Sequence, residues 1–206
     1  MEGTKPVNKK LAAALSGGAV LAVALTGCSS GDKGNPKLDA WAKQVCDAVP
    51  AQDAKIKAAN AAITKTASDT TNPPETIQKT DSQAFQDMSD GYKALATAIN
   101  NAGAPPGVDD GAKRQKDAVK NLNDLSAAYA DLKKKVDRLD TKNQGKFATG
   151  LHDIATQMTD LQKQSQSGTA ALKNLEQGDV KEAIAKQASC KKVSTSASAS
   201  ASATSS

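Results

Sequence analysis

The chain has 206 residues, 27 basic and 22 acidic side chains, one His, and five aromatic residues in all. Lysine outnumbers arginine 25 to two, and glutamate occurs only four times. A single His and four Glu cannot furnish a di-iron helical bundle, which takes Glu from every helix and His from two of them.

Residues 1–27 read as an export leader. Lys5, Lys9 and Lys10 form a positive start, and residues 11–25 are an uncharged stretch of 15. That is too short for a comfortable membrane span and suited to a signal sequence. The stretch ends in Leu25-Thr26-Gly27-Cys28, followed by Ser29-Ser30-Gly31. This tetrapeptide resembles the lipobox of bacterial lipoproteins. The resemblance implies cleavage before Cys28 and a diacylglyceryl thioether on its sulfur, and two acyl chains anchor a protein stably where one does not. Without the leader the chain carries 24 basic and 21 acidic side chains. Such a small, scattered excess, with no interleaved aromatics to stack bases, gives no reason to expect nucleic acid as a partner.

The domain expectation is a lipidated Cys28 with a flexible polar tether to residue 36, a helical body over 37–193, and a disordered tail over 194–206. The tail contains only Ser, Ala and Thr, and so has nothing to bury.

In the body, Leu38, Trp41, Val45 and Val49 share one helical face, and Pro50 predicts a kink before a helix carrying Ile56, Ala59 and Ile63. Asn72-Pro73-Pro74-Glu75 predicts a helix start, with Asn72 as the cap. Phe85, Met88, Tyr92, Leu95 and Ile99 then alternate spacings of three and four. Gly103-Ala104-Pro105-Pro106-Gly107 predicts a turn. A long helix over 109–140 carries Leu122, Leu125, Tyr129, Leu132, Val136 and Leu139 at the same spacing. After a break at Thr141-Lys142-Asn143, Phe147, Leu151, Ile154, Met158 and Leu161 repeat it. Two short helices are expected beyond Gly168, one with Leu172 and Leu175, the other with Val180 and Ile184, divided at Gly178-Asp179. The fold class is therefore all-α: an elongated antiparallel bundle of four long helices plus short C-terminal helices.

Apolar stock is low. Leu, Ile, Val and Phe number 25 in residues 37–193, a share at which disorder competes with folding. Cys46 and Cys190, one near each end of the body, read as a disulfide in an exported chain. Leader, lipobox, tether, the Trp41-to-Cys46 opening, the Ala/Lys-rich body and the closing Ser189-Cys190-Lys191-Lys192 together resemble the small secreted lipoproteins of actinobacteria. The resemblance implies an extracytoplasmic, lipid-anchored, disulfide-clasped helical body, and it brings no activity with it.

Chemistry is sparse. His152 flanks the fourth seam and is followed by Asp153, not by Glu at metal-binding spacing. No metal site or cofactor is expected. Ser189-to-Lys192 and Ser30-to-Lys33 match Ser-x-x-Lys without its companion motifs, so both are chance. The run Lys133-Lys134-Lys135 reads as a solvated helix face; the sharper alternative is attraction to anionic lipid or a wall polymer. Aspartates 131, 137 and 140 read as solvating charge with modest helical ion pairs. The functional expectation is a non-enzymatic binding or scaffolding role at the outer face of the cytoplasmic membrane, toward a protein or cell-wall partner. Its rival is a carrier holding an apolar molecule between the helices.

Replacing Cys28 with Ala is expected to release the protein into the medium or to leave the leader uncleaved. Fractionation of cells expressing each form checks this, and identical partitioning would refute the lipobox reading.

Overall fold

A computed structural model describes residues 35–191. Cys28 with its lipobox, most of the tether, and the Ser/Ala/Thr tail lie outside the described residues. Helices α1 (Pro36–Ser68), α2 (Pro74–Ala102), α3 (Gly111–Val136) and α4 (Gln144–Leu175) are followed by the short α5 (Asp179–Lys186). A last helical turn occupies 188–191, and no strand occurs among the described residues. The fold is all-α, with four long helices and short C-terminal ones.

Local chemistry sets the helix ends. Asn35 Oδ1 accepts from the Leu38 amide at 3.1 Å, with Pro36 at the first helical position. The last two tether residues thus serve α1, Asn35 as its cap and Pro36 as its first residue. Asn143 caps α4 in the same way, accepting from the Lys146 amide at 3.0 Å. The cap expected at Asn72 is not formed. Pro73 takes the cap position of α2, and Asn72 Nδ2 instead donates to the Thr66 carbonyl at 3.2 Å, closing the end of α1.

One expected interruption differs, and the other falls within a single element. Pro50 lies inside α1, which runs through it as one element; its missing amide removes the helical donor to the Cys46 carbonyl. Gly168 does not end α4. It is buried inside the helix, and a Cβ there would lie 3.2 Å from Leu125 Cδ1. Its role is close packing of α4 on α3. Gly91 does the same for α2 on α1, where a Cβ would meet Ile56 Cγ1 at 2.8 Å.

The α2–α3 pair is the centre of the bundle, with α1 packed on α2, α4 on α3, and α5 on α1. The core has two parts. Near Asn35, Leu38, Trp41 and Val45 of α1 meet Ile99, Leu122, Leu175, and Val180 and Ala183 of α5. Farther along, Phe85, Met88, Leu125, Leu132, Val136, Ile154 and Leu161 form the second part. The expected seams are these residues, with Tyr92 and Tyr129 half-buried along them.

At 1.5 Å per residue, the 33 residues of α1 span about 50 Å. At the Asn35 end, Asn35 Nδ2 donates to the Pro106 carbonyl at 2.9 Å and Trp41 Nε1 to that of Gly103 at 2.8 Å. The α2–α3 turn therefore sits beside the start of α1. At the other end, Gln78 Nε2 donates to the carbonyls of Val136 and Leu139 at 2.9 and 3.0 Å, placing the α3–α4 turn beside the α1–α2 turn.

Cys46 and Cys190 are joined, with Cα atoms 5.2 Å apart and a sequence separation of 144. Around the bridge, Ser189 Oγ donates to Asp47 at 2.8 Å, Gln187 Nε2 to the Asp39 carbonyl at 3.3 Å, and Lys186 Nζ to Asp39 at 3.2 Å. Chain entropy puts closure of such a loop at roughly 5 kcal/mol. Thermal melts with and without reductant are expected to differ by about 10–20 °C, and the double variant Cys46→Ser, Cys190→Ser should melt like the reduced protein.

Candidate functional site

The α5 helix bridges two neighbours at the Asn35 end. Its Val180 and Ala183 lie in one cluster with Trp41 and Ala42 of α1 and Leu175 of α4. Toward the opposite end no such helix is present among the described residues, and α1, α2 and α4 flank a cleft of about 340 Å³ instead.

The α1 side contributes Ile63, Thr66 and Ala67, and the following turn adds Asp69, Thr70 and Asn72. From α2 come Ile77, Asp81 and Phe85, spaced by four along one face; from α4 come Leu151, Ile154, Ala155 and Met158. The lining is thus mostly aliphatic and aromatic, with two carboxylates and no basic side chain. Behind Phe85 the apolar floor continues into stacked rings. Phe85 and Tyr129 have centroids 6.2 Å apart, and Tyr129 stacks on Tyr92 at 5.5 Å with planes 5° from parallel. Burial pushes the Tyr129 hydroxyl up to about 12, with a smaller contribution from Tyr92. Both phenols therefore stay neutral at ordinary pH.

Asp81 is the unusual lining residue. It is only 8% exposed, and among the described residues its carboxyl has no hydrogen-bond or ion-pair partner. Burial alone pushes it up to about 6. Asp69, at the exposed turn, behaves in the opposite way: its carboxylate accepts from the Thr71 hydroxyl at 2.6 Å and the Thr71 amide at 3.0 Å, which lower its pKa.

No motif marks Asp81 in the sequence. The available signal is periodicity: continuing the α2 seam backward from Phe85 by four lands on Asp81, and by four more on Ile77. A carboxylate on an apolar seam is the informative departure.

A groove of about 270 Å³ between α3 and α4 is of another kind. Asp131, Lys135, Gln157 and Asp160 line it, and Lys135 donates to Gln157 across it.

The residues singled out from sequence are widely spread. Cys46 is fully buried and Cys190 half-buried in their disulfide. His152 is exposed on α4, where its backbone carbonyl accepts from the Thr156 hydroxyl at 3.1 Å. The Ser189 hydroxyl is occupied by Asp47. Lys133 pairs with Asp137 at 2.6 Å and Lys134 with Asp131 at 2.9 Å, so two members of the lysine run lie in local helical pairs. Glu176, at the α4–α5 turn, is a second carboxyl raised by burial, to about 7, with Lys173 partly opposing the shift. Among the described residues no three His, Cys, Asp or Glu side chains gather as a metal site, and no helix is long and apolar enough to cross a membrane.

Fold and site together define a disulfide-clasped helical bundle with a one-sided apolar cleft. The chain matches no family model, no curated protein and no solved structure.

Asp81 allows a pH test. Its folded pKa lies above the unfolded value of about 4, so the folded state keeps the proton longer. The destabilisation it causes grows as pH rises from about 4 to about 6 and is complete above that. Asp81→Asn is therefore expected to stabilise the protein at pH 7.5 by about 1–2 kcal/mol, after allowing for water reaching the carboxyl from the cleft mouth. Below pH 4 the gain should vanish. Melts of both forms at pH 3.5 and 7.5 check the sign.

Proposed function

We propose that this is a lipid-anchored binding protein on the outer face of the cytoplasmic membrane, whose far end meets the partner. The observation that carries this reading is the polarity of the body. The chain enters α1 at Asn35, seven residues after Cys28, at the end of the bundle that α5 and the disulfide hold closed. The α1–α2 and α3–α4 turns, together with the cleft, lie toward the other end, about 50 Å away along α1. Anchoring through Cys28 would leave that end projecting outward. Binding is favoured over catalysis by the positions of the reactive groups: the single His is exposed on its helix and does not line the cleft, and the Thr66 and Thr70 hydroxyls that share the cleft with Asp81 have no His or Lys there to activate them.

The cleft favours a second reading, the carrier of a small apolar molecule. Its volume lies at the lower end of the range for small-molecule sites, about 300–1,000 Å³, and its walls are mostly aliphatic.

A photo-crosslinking residue placed at Thr71 or Lys142, in the far turns, is expected to capture a surface partner in intact cells. The same residue at Gln177, in the α4–α5 turn, should capture much less. Equal capture at all three positions would refute the polarity.

A further inference from the structure

We infer that the cleft between α1, α2 and α4 binds a small lipophilic amine, with its apolar body against Phe85, Ile63 and Ile154 and its ammonium on the Asp81 carboxylate. This rests on the carrier reading and gives that site its ligand class.

Two observations carry it together. The first is a cavity of about 340 Å³ whose walls are largely hydrocarbon, which selects for an apolar body. The second is Asp81, more than nine-tenths buried, lining that cavity and unpartnered among the described residues. Among the described residues no fully enclosed side-chain oxygen lacks a partner, so water reaches this carboxylate from the cleft, but its burial still strips away part of its hydration and costs free energy in the empty protein. A ligand that brings a positive charge with N–H donors relieves this cost, which a hydrocarbon alone cannot do.

The sign of the charge follows from the rest of the lining. Asp69 is the other ionisable group there, and no Lys, Arg or His is present. Carboxylate or phosphate ligands such as fatty acids would meet two like charges and no counter-charge. A metal ion would find too few ligands, since no third acidic, His or Cys side chain joins these two. A neutral alcohol could donate one hydrogen bond to Asp81 but would leave its charge uncompensated. Charge-assisted hydrogen bonds are about twice as strong as neutral ones, so the amine should be preferred to its alcohol.

The test compares three probes of the same shape: cyclohexylmethylamine, cyclohexylmethanol and cyclohexanecarboxylate. Each is titrated by ligand-observed NMR at pH 7.5 into the full-length protein purified with its disulfide intact. The amine is expected to bind at least tenfold more tightly than the alcohol, and the carboxylate not measurably. In Asp81→Asn the amine should fall to the alcohol's affinity while the alcohol is unchanged. Equal binding of amine and alcohol to the wild type, or an amine preference that survives Asp81→Asn, would overturn the inference. In either case the carrier reading stands if alcohol binding is lost in Ala155→Trp, which fills the cleft from an exposed position on α4. Absence of binding by all three probes would sink the inference and the carrier reading together.

Discussion

A shortage of large apolar side chains shapes this bundle. Four helices of 26 to 33 residues must be held together by 25 Leu, Ile, Val and Phe in residues 37–193. Each ordered residue costs conformational entropy whatever its side chain, so contacts have to be gained in other ways. One is close approach. Ala42, Ala59, Ala84, Ala96, Ala118 and Ala183 are all buried, and Gly91 and Gly168 sit where a methyl group would crowd the neighbouring helix. Another is polar cross-linking inside the α2–α3 pair, where Ser89 Oγ donates to the Ser126 carbonyl at 2.9 Å with both residues buried. The disulfide acts on the unfolded chain instead, removing freedom that folding would otherwise have to remove.

The clasp also explains why the two ends differ. It fixes α5 against α1, and α5 in turn reaches Leu175 of α4. The Asn35 end thereby gains a fifth helix over its core, whereas the cleft lies where α1 and α4 have no such helix between them. The clasp thus sits at one end and the cleft toward the other.

Charge is arranged on the same plan. Lysines and aspartates pair locally along exposed faces, as in Lys43 with Asp47 at 2.5 Å and Lys120 with Asp124 at 2.6 Å. Such pairs contribute little to stability and serve mainly to keep a long helical surface solvated. Asp81 and Glu176 do not belong to this set. Both are raised by burial, and Asp81 lies in the cleft rather than on a solvated face.

The sequence by itself determined the helices and most of their limits. Spacings of three and four place Phe85, Met88, Leu122, Leu125, Ile154 and Leu161 on buried faces, because a helix repeats every 3.6 residues whatever it packs against. Asn143 was legible as a break for a similarly local reason, since a cap uses only groups within one turn. The pairing of Cys46 with Cys190 was legible because the described body holds no other cysteine. Tertiary structure decided the rest. Gly168 looks like a helix breaker until α3 is seen beside it, and Asn72 looks like a cap until the end of α1 offers it a carbonyl. Asp81 looks like one more surface aspartate until α1 and α4 close over the face of α2 on which it sits. Its burial depends on residues far away in the chain, such as Ile63 and Met158, and no local pattern records which distant helices will pack over a given position.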